Sequence, residues 1–279
     1  MKGPHSGLAA PAVLAILLAA CSIATPQAEP SSATAVPLPA ATPSVAVGPE
    51  RIVGHALLDR PPQPAMAPSY RPDLVADHCV DRDLPAPAVG DAAMVLLDRS
   101  YALAADDVPD DLVAASAAGL AGSSGLQLVR AVLVDDLAEM AAAWEAAGLT
   151  ITIESAYRSY ADQAATFDIW AARLGYADAL GRAARPGHSE HQLGTALDLT
   201  SPGWSGRFGD WAVESPEGSW MAAHGWEYGF VMSYPAGSEE RTCFSYEPWH
   251  YRWIGRDAAA EHHESGVDLR RFLERYVGT

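Results

Sequence analysis

The chain has 279 residues and a formal net charge of −17, from 35 acidic against 18 basic side chains. That length holds one large domain or two small ones and is ample for a buried core. The acidic balance argues against nucleic acid as a partner, because phosphate recognition rewards clustered Lys and Arg.

The N-terminus has the pattern of a targeting segment. Lys2 gives a small positive start, and residues 9–20 form an apolar run too short for the ~20 residues that a membrane-spanning helix needs. The run ends Leu18-Ala19-Ala20-Cys21, which resembles a bacterial lipobox. Residues 1–20 are therefore expected to be a lipoprotein signal peptide, with Cys21 as the lipidated first residue of an exported, membrane-anchored protein facing the cell wall. An ordinary signal peptide cut near the same alanines is the alternative. No later stretch is long and apolar enough to span a bilayer. Residues 21–70, rich in Ala, Pro, Ser and Thr, lack the apolar content to offset their ordering entropy and read as a flexible tether. Residues 71–279 read as the folded domain.

Within that domain residues 94–97 predict a short strand, and residues 132–147 a helix, with Leu133, Leu137, Met140 and Trp144 at helical spacing and Gly148 as its stop. Residues 149–153 alternate as a strand. Ser159 with Asp162 reads as an N-cap opening a helix to Leu174, ended by Gly175. Further strands are expected at 195–199, 230–234 and 249–254, a short helix at 220–224 closed by Gly225, and an amphipathic helix at 268–277. Mixed elements without a βαβ rhythm indicate an α+β fold with a small, largely antiparallel sheet flanked by helices.

Two segments carry the chemistry. The first runs from Ser189 through His191 to Asp198, and the second is Glu247-Pro248-Trp249-His250. They offer two imidazoles and a carboxylate that suit zinc, and three protein ligands with an open fourth position are the plan of a catalytic zinc site. Glu247, three residues before His250, is the free carboxylate that metal-assisted hydrolysis needs. No His-Glu-x-x-His helix is present. Taken alone, His191 with Asp198 reads better as a structural hydrogen bond between a surface histidine and a strand aspartate, and Glu247 could be a solvated strand start. Ser155, Tyr157, Arg158, Ser159 and Gln163 lie at a strand-to-helix junction, where functional loops are common. Arg158 there is either a surface charge or a bidentate carboxylate binder.

After Cys21, only Cys79 and Cys243 remain. In an exported chain two leftover cysteines pair more often than they stay free, the alternative being two buried thiols. Cys243 lies four residues before Glu247, so a bridge would brace the loop carrying that carboxylate. His262 and His263 are expected to face solvent on a helical tail. His188 and His224 read either as cleft-lining or as structural. Trp249 and Trp253 share a strand face, as packing residues do.

Taken in order, three segments resemble the VanY-type D-alanyl-D-alanine carboxypeptidases. They are Ser155-Ala156-Tyr157-Arg158-Ser159-Tyr160 with Gln163; Arg185-Pro186-Gly187-His188-Ser189-Glu190-His191 running to Asp198; and Glu247-Pro248-Trp249-His250-Tyr251-Arg252. The run Val108-Pro109-Asp110-Asp111-Leu112-Val113 is similar to that family's N-terminal part. The resemblance implies zinc held by His191, Asp198 and His250, with Glu247 as general base and acid. It implies Arg158, Gln163, Ser189 and Tyr157 as contacts to a peptidoglycan stem peptide and its terminal carboxylate. The fold it implies, shared with hedgehog and lysostaphin-like peptidases, is the small antiparallel sheet flanked by helices.

The activity implied is removal of the C-terminal D-amino acid, D-Ala. The alternatives are an L,D-carboxypeptidase, a peptidoglycan endopeptidase, or a wall-binding lipoprotein without catalysis. Two departures stand out. Ser233-Tyr234-Pro235 replaces the family's frequent Arg-Tyr-Pro, a lost basic contact expected to bear on substrate preference. Thr242-Cys243 replaces Thr-Gly, which together with the upstream Cys79 favours a Cys79–Cys243 disulfide.

Overall fold

The computed structural model describes residues 79–277, Gly90 and Ser124 excepted. The expected leader at 1–20, the lipidated Cys21 and the tether at 21–70 lie outside the described residues.

The described residues open with β1 (Leu84–Pro85), parallel to β2 (Tyr101–Ala102), and with an antiparallel pair, β3 (Leu112–Ala114) and β4 (Leu128–Arg130). Helix α1 (Val134–Ala146) leads to β5 (Thr152–Ser155), then α2 (Tyr160–Leu174) and the one-turn α3 (Tyr176–Ala179). Next come β6 (Ala196–Thr200), α4 (Trp211–Glu214), α5 (Pro216–His224) and β7 (Phe230–Met232). The last elements are α6 (Glu239–Thr242), β8 (His250–Trp253), α7 (Arg256–Ser265) and α8 (Leu269–Leu273). Strands β5, β6, β8 and β7 lie side by side in that order, every neighbour antiparallel. The α+β expectation therefore holds.

The two-residue period of the strands sorts this sheet into two faces. Leu197 and Leu199 of β6, with Tyr251 and Trp253 of β8, are buried on one face against Leu133, Leu137, Met140 and Trp144. Three of those four lie on α1, and Leu133 comes just before it, all at the spacing of an apolar stripe. Trp253 also donates its indole N–H to Asp136 at 2.9 Å, so the one carboxylate buried on that helix is satisfied. The opposite face holds Asp198, His250 and Arg252. Beside it a second cluster joins Val231 to Met94, Leu96, Leu269, Phe272 and Leu273. Truncating a fully buried leucine such as Leu137 to alanine costs about 2–5 kcal/mol in such packing.

Local rules explain the helix starts. Ser159 accepts the backbone N–H of Asp162 at 3.2 Å, and Asp268 accepts that of Arg271 at 3.0 Å, each as an N-cap.

Several expectations are corrected. Residues 94–97 are not a strand; Ala92–Met94 is a 3₁₀ turn capped by Asp91. The carbonyls of Ala93 and Val95 instead accept from the Arg252 guanidinium, at 2.7 and 2.6 Å, so a side chain takes the place of a ladder. Gly225 caps α5 after His224 as expected, but the helix starts at Pro216 and not at Trp220, and Gly225 stays right-handed and passes into a 3₁₀ turn ended by Gly229 at φ +87°. What demands glycine at 225 is packing, because a Cβ there would meet the Phe230 carbonyl at 3.1 Å. The strand expected at 149–153 starts only at Thr152, where pairing with Thr200 begins. The terminal helix is split into α8 and a 3₁₀ turn, Glu274–Tyr276.

Cys79 and Cys243 are joined in a disulfide, with a Cα–Cα distance of 5.3 Å. His262 is not solvent-facing as expected; it is half-buried, edge-on to Phe272 at 5.3 Å between ring centres. His263 stacks on Trp226 at 4.1 Å. Among the described residues no helix is long and apolar enough to cross a membrane.

Candidate metal centre and active site

Sheet register builds the centre. Asp198 of β6 pairs directly with His250 of β8, and Ser155 of β5 pairs with Asp198 from the other side. Strand parity alone would put Ser155 on the same face as the core residue Ile153. A bulge between them gives β5 two residues where β6 has one, so Ile153 meets Leu199 while Ser155 meets Asp198. That bulge brings Ser155 to the polar face.

His191 arrives from a 3₁₀ turn, Glu190–Leu193, capped by Ser189 and ended by Gly194 at φ +71°. A Cβ on Gly194 would also meet Arg130 Cγ at 2.9 Å and Leu112 Cδ2 at 3.0 Å, so the turn closes only with glycine. The Nδ1 of His191 donates to the Ala156 carbonyl at 2.6 Å, which leaves Nε2 facing Asp198 Oδ2 at 3.2 Å. The Nδ1 of His250 lies 3.0 Å from Asp198 Oδ1, and its Nε2 lies 2.9 Å from Glu190 Oε2. One nitrogen or oxygen from each of His191, Asp198 and His250 falls within a 4.8 Å cluster.

This donor set fits a zinc-like cation. Each ring has its outer nitrogen tied to a carbonyl or carboxylate and its inner nitrogen turned to the common point, the usual device for orienting metal-binding histidines. Electrostatics agree. Burial pushes the His250 imidazolium down, but the Asp198 and Glu190 carboxylates outweigh it and raise its pKa to about 10. Without a cation that ring holds a proton where a metal would sit. Burial also pushes Asp198 up, yet His191 and His250 hold it well below the ordinary carboxylate range. For His191, burial prevails and lowers its pKa.

Glu247 sits in the turn before β8, its N–H on the Tyr234 carbonyl at 3.1 Å and its own carbonyl accepting from His250 at 3.1 Å. Burial, opposed by His250 and reinforced by Asp198 and Glu190, raises its carboxyl to about 8. Arg158 reaches the same point, Nη2 being 3.6 Å from Asp198 Oδ2. Its guanidinium is held by the Gln163 Oε1 at 2.8 Å and the Ser155 hydroxyl at 2.8 Å.

The remaining expected residues gather around this centre in different ways. Gln163 is buried, its amide donating to the Ala184 carbonyl at 2.6 Å, and it meets the site through Arg158. Ser189 is buried and caps the His191 turn, accepting from the His191 N–H at 3.4 Å. Tyr157 is half-buried at the junction before Arg158, anchored by its N–H to the Leu128 carbonyl at 2.9 Å. His188 is structural, with Nδ1 on the Asp98 carbonyl at 2.6 Å, and exposed His224 pairs with Glu227 at 2.8 Å.

Sequence reasoning missed Glu190 and Arg252. Glu190 lies under His250 and accepts from Arg252 at 2.8 Å and from the Ser233 hydroxyl at 2.6 Å. Ser233 thus faces the layer behind the metal cluster; it is 2% exposed. The clue in the sequence was Arg252, two places after His250 and so on the same strand face.

A buried His-Asp-His cluster beside a carboxylate and a guanidinium, on a small antiparallel sheet, defines a metallopeptidase-like hydrolase centre. Residues 126–256 match the VanY family model, D-alanyl-D-alanine carboxypeptidase. YodJ of Bacillus subtilis (strain 168) is 30% identical over 183 residues, covering 65% of this chain and 67% of YodJ. The chain belongs to the VanY carboxypeptidase family and is an enzyme of that class. A D-alanyl-D-alanine carboxypeptidase of Enterococcus faecalis is 32% identical over 135 residues, so the chain spans 48% of that relative's length. Among solved structures, the LD-carboxypeptidase LdcB superposes with a TM-score of 0.58 at 30% identity, over 64% of this chain and 85% of LdcB. The VanY D,D-pentapeptidase of a VanB-type resistance cassette, in complex with Zn(II), superposes at 0.54 and 26%, over 66% of this chain and 99% of that one.

Proposed function

We propose that this protein is a zinc-dependent carboxypeptidase that removes the C-terminal D-alanine from peptidoglycan stem peptides. The observation that carries the reading is the placement of Arg158 3.6 Å from Asp198, a carboxylate-binding group beside a His-Asp-His cluster. Zinc on His191, Asp198 and His250 would supply Lewis-acid polarisation of the scissile carbonyl and lower the pKa of the attacking water.

The chain's own residues supply the rest. Arg158, pre-oriented by Gln163 and Ser155, binds the terminal carboxylate of the substrate, which makes the enzyme act at chain ends. Ser189 fixes the turn that aims His191, and Tyr157, next to Arg158 in the chain, is a further candidate contact to the stem peptide. Glu247 accepts the proton of the attacking water and returns it to the leaving amine. Its raised proton affinity suits it to both halves of that transfer.

Likeness to LdcB supports a second reading, cleavage of the bond between an L-configured centre and a terminal D-residue. Both reactions release the same kind of leaving group and need the same carboxylate clamp. An endopeptidase has no use for that clamp, and a non-catalytic wall binder has no use for Glu247. The lipobox-like segment supports export, acylation at Cys21, and work at the outer face of the membrane, with residues 21–70 as tether and 71–279 as the enzyme.

The test is to incubate the purified protein with pentapeptide and tetrapeptide stems and weigh the products, with and without chelator and added zinc. Loss of one alanine from the pentapeptide is the expected result. Trimming of the tetrapeptide alone would select the second reading. No trimming of either, with zinc bound, would overturn both.

A further inference from the structure

Behind the candidate ligand His250 lies a buried chain of polar groups, Glu190, Ser233 and Arg252, that takes no part in the reaction steps proposed above. Glu190, Ser233, His250 and Arg252 are between 0% and 4% exposed. Glu190 accepts from Arg252 Nη1 at 2.8 Å on one oxygen. Its other oxygen faces His250 Nε2 at 2.9 Å and accepts the Ser233 hydroxyl at 2.6 Å. Arg252 is itself fixed by the carbonyls of Ala93 and Val95, at 2.7 and 2.6 Å. A lone buried carboxylate is costly, and a buried ion pair is seldom a net source of stability. An arrangement in which both Glu190 oxygens and both terminal Arg252 nitrogens are hydrogen-bonded, with Arg252 Nε left unpartnered, is better explained by what it does to the His250 ring.

The ring has one degree of freedom that matters. With Nε2–H donated to Glu190, the Nδ1 lone pair points to Asp198 and His191; a flipped ring would present carbon to the cluster. Glu190 therefore selects both the rotamer and the tautomer that a cation needs, and its charge makes the ring a stronger donor. Arg252 holds one oxygen of the carboxylate, and Ser233 fixes the other, which faces the ring.

We infer that Glu190, held by Arg252 and Ser233, is the positioning residue that sets the metal affinity of this centre through His250. The inference rests on the proposed metal site. The experiment measures zinc affinity of the full chain by competition against a chromophoric chelator at pH 7, with the visible spectrum of the cobalt-substituted protein as a second readout. Wild type should bind one equivalent and His250→Ala should lose it; no zinc bound by wild type would sink the metal-site reading itself. Glu190→Gln should weaken zinc about 10- to 100-fold and change the cobalt band intensity. Ser233→Ala, which keeps the ion pair, should weaken it about 3- to 10-fold. A purely structural role would lower the melting temperature without moving either readout. Folded Glu190→Gln with wild-type affinity and spectrum overturns the inference. If Glu190→Gln fails to fold, Ser233→Ala decides, and unchanged affinity there overturns it.

Discussion

Asp198 and His250 are direct cross-strand partners in β6 and β8, and the Asp198 carboxylate lies 3.0 Å from the His250 Nδ1. That pairing makes two of the three candidate ligands neighbours by backbone hydrogen bonding alone. The third, His191, is added by a single capped turn. The centre is therefore as rigid as the sheet, and substitutions at its rim should change chemistry more than fold.

Glu247→Gln should keep zinc and the fold while losing about 10²- to 10⁴-fold in the rate of alanine release, the usual worth of a positioned acid–base group. Product release by mass spectrometry, paired with metal content of the same sample, checks this. Loss of metal together with activity would mean that Glu247 is a ligand instead.

Arg158→Lys keeps the charge but loses the planar fork, so kcat/KM for a stem peptide should fall about 10- to 100-fold. Gln163→Ala leaves the guanidinium without one of its two anchors, and a drop of about 3- to 10-fold is expected there. Both variants should retain zinc. Steady-state kinetics against a substrate with an amidated C-terminus should show no difference from wild type, because the group Arg158 binds is absent.

His262 links stability to pH. Its ordinary pKa is 6.5, and burial against Phe272, only partly offset by Asp268, lowers it to about 4. The unfolded chain therefore binds a proton that the folded chain refuses. The full contribution is present above pH 6.5 and is lost as pH falls toward 4, amounting to at most about 3 kcal/mol. His262→Leu should flatten the fall in melting temperature between pH 7 and pH 4.5. An unchanged slope would place the acid sensitivity elsewhere.

The Cys79–Cys243 bridge closes a loop of 164 residues. Cross-links of this kind typically stabilise by about 2–4 kcal/mol, so the double variant Cys79→Ser with Cys243→Ser should melt well below wild type. Cys243 precedes Glu247 by four residues, and it takes a left-handed backbone, φ 67°, that the serine must also adopt. Calorimetry of both proteins, alongside kcat, would separate loss of stability from loss of loop position. Equal melting temperatures would show the bridge to be idle.

Much of the site was legible because its residues fall in compact segments with fixed internal geometry. The Ser159 cap and the stripe Leu133-Leu137-Met140-Trp144 followed from local periodicity. Glu190 and Arg252 were not legible, since their meaning depends on a contact between residues 62 positions apart. His262 was misjudged because exposure on α7 is settled by α8 packing over it, which no helical pattern reveals.

The sequence by itself indicated most of the element types, the candidate donor set of His191, Asp198 and His250, and the alternation that puts Leu197 and Leu199 opposite Asp198. Those depend on covalent order and on the two-residue strand period. Only the tertiary structure decided the strand order β5-β6-β8-β7, the bulge that turns Ser155 toward Asp198, and the Glu190–Arg252 pair behind His250. These are set by long-range register and burial, where the free energy of one contact depends on chain segments far away in sequence.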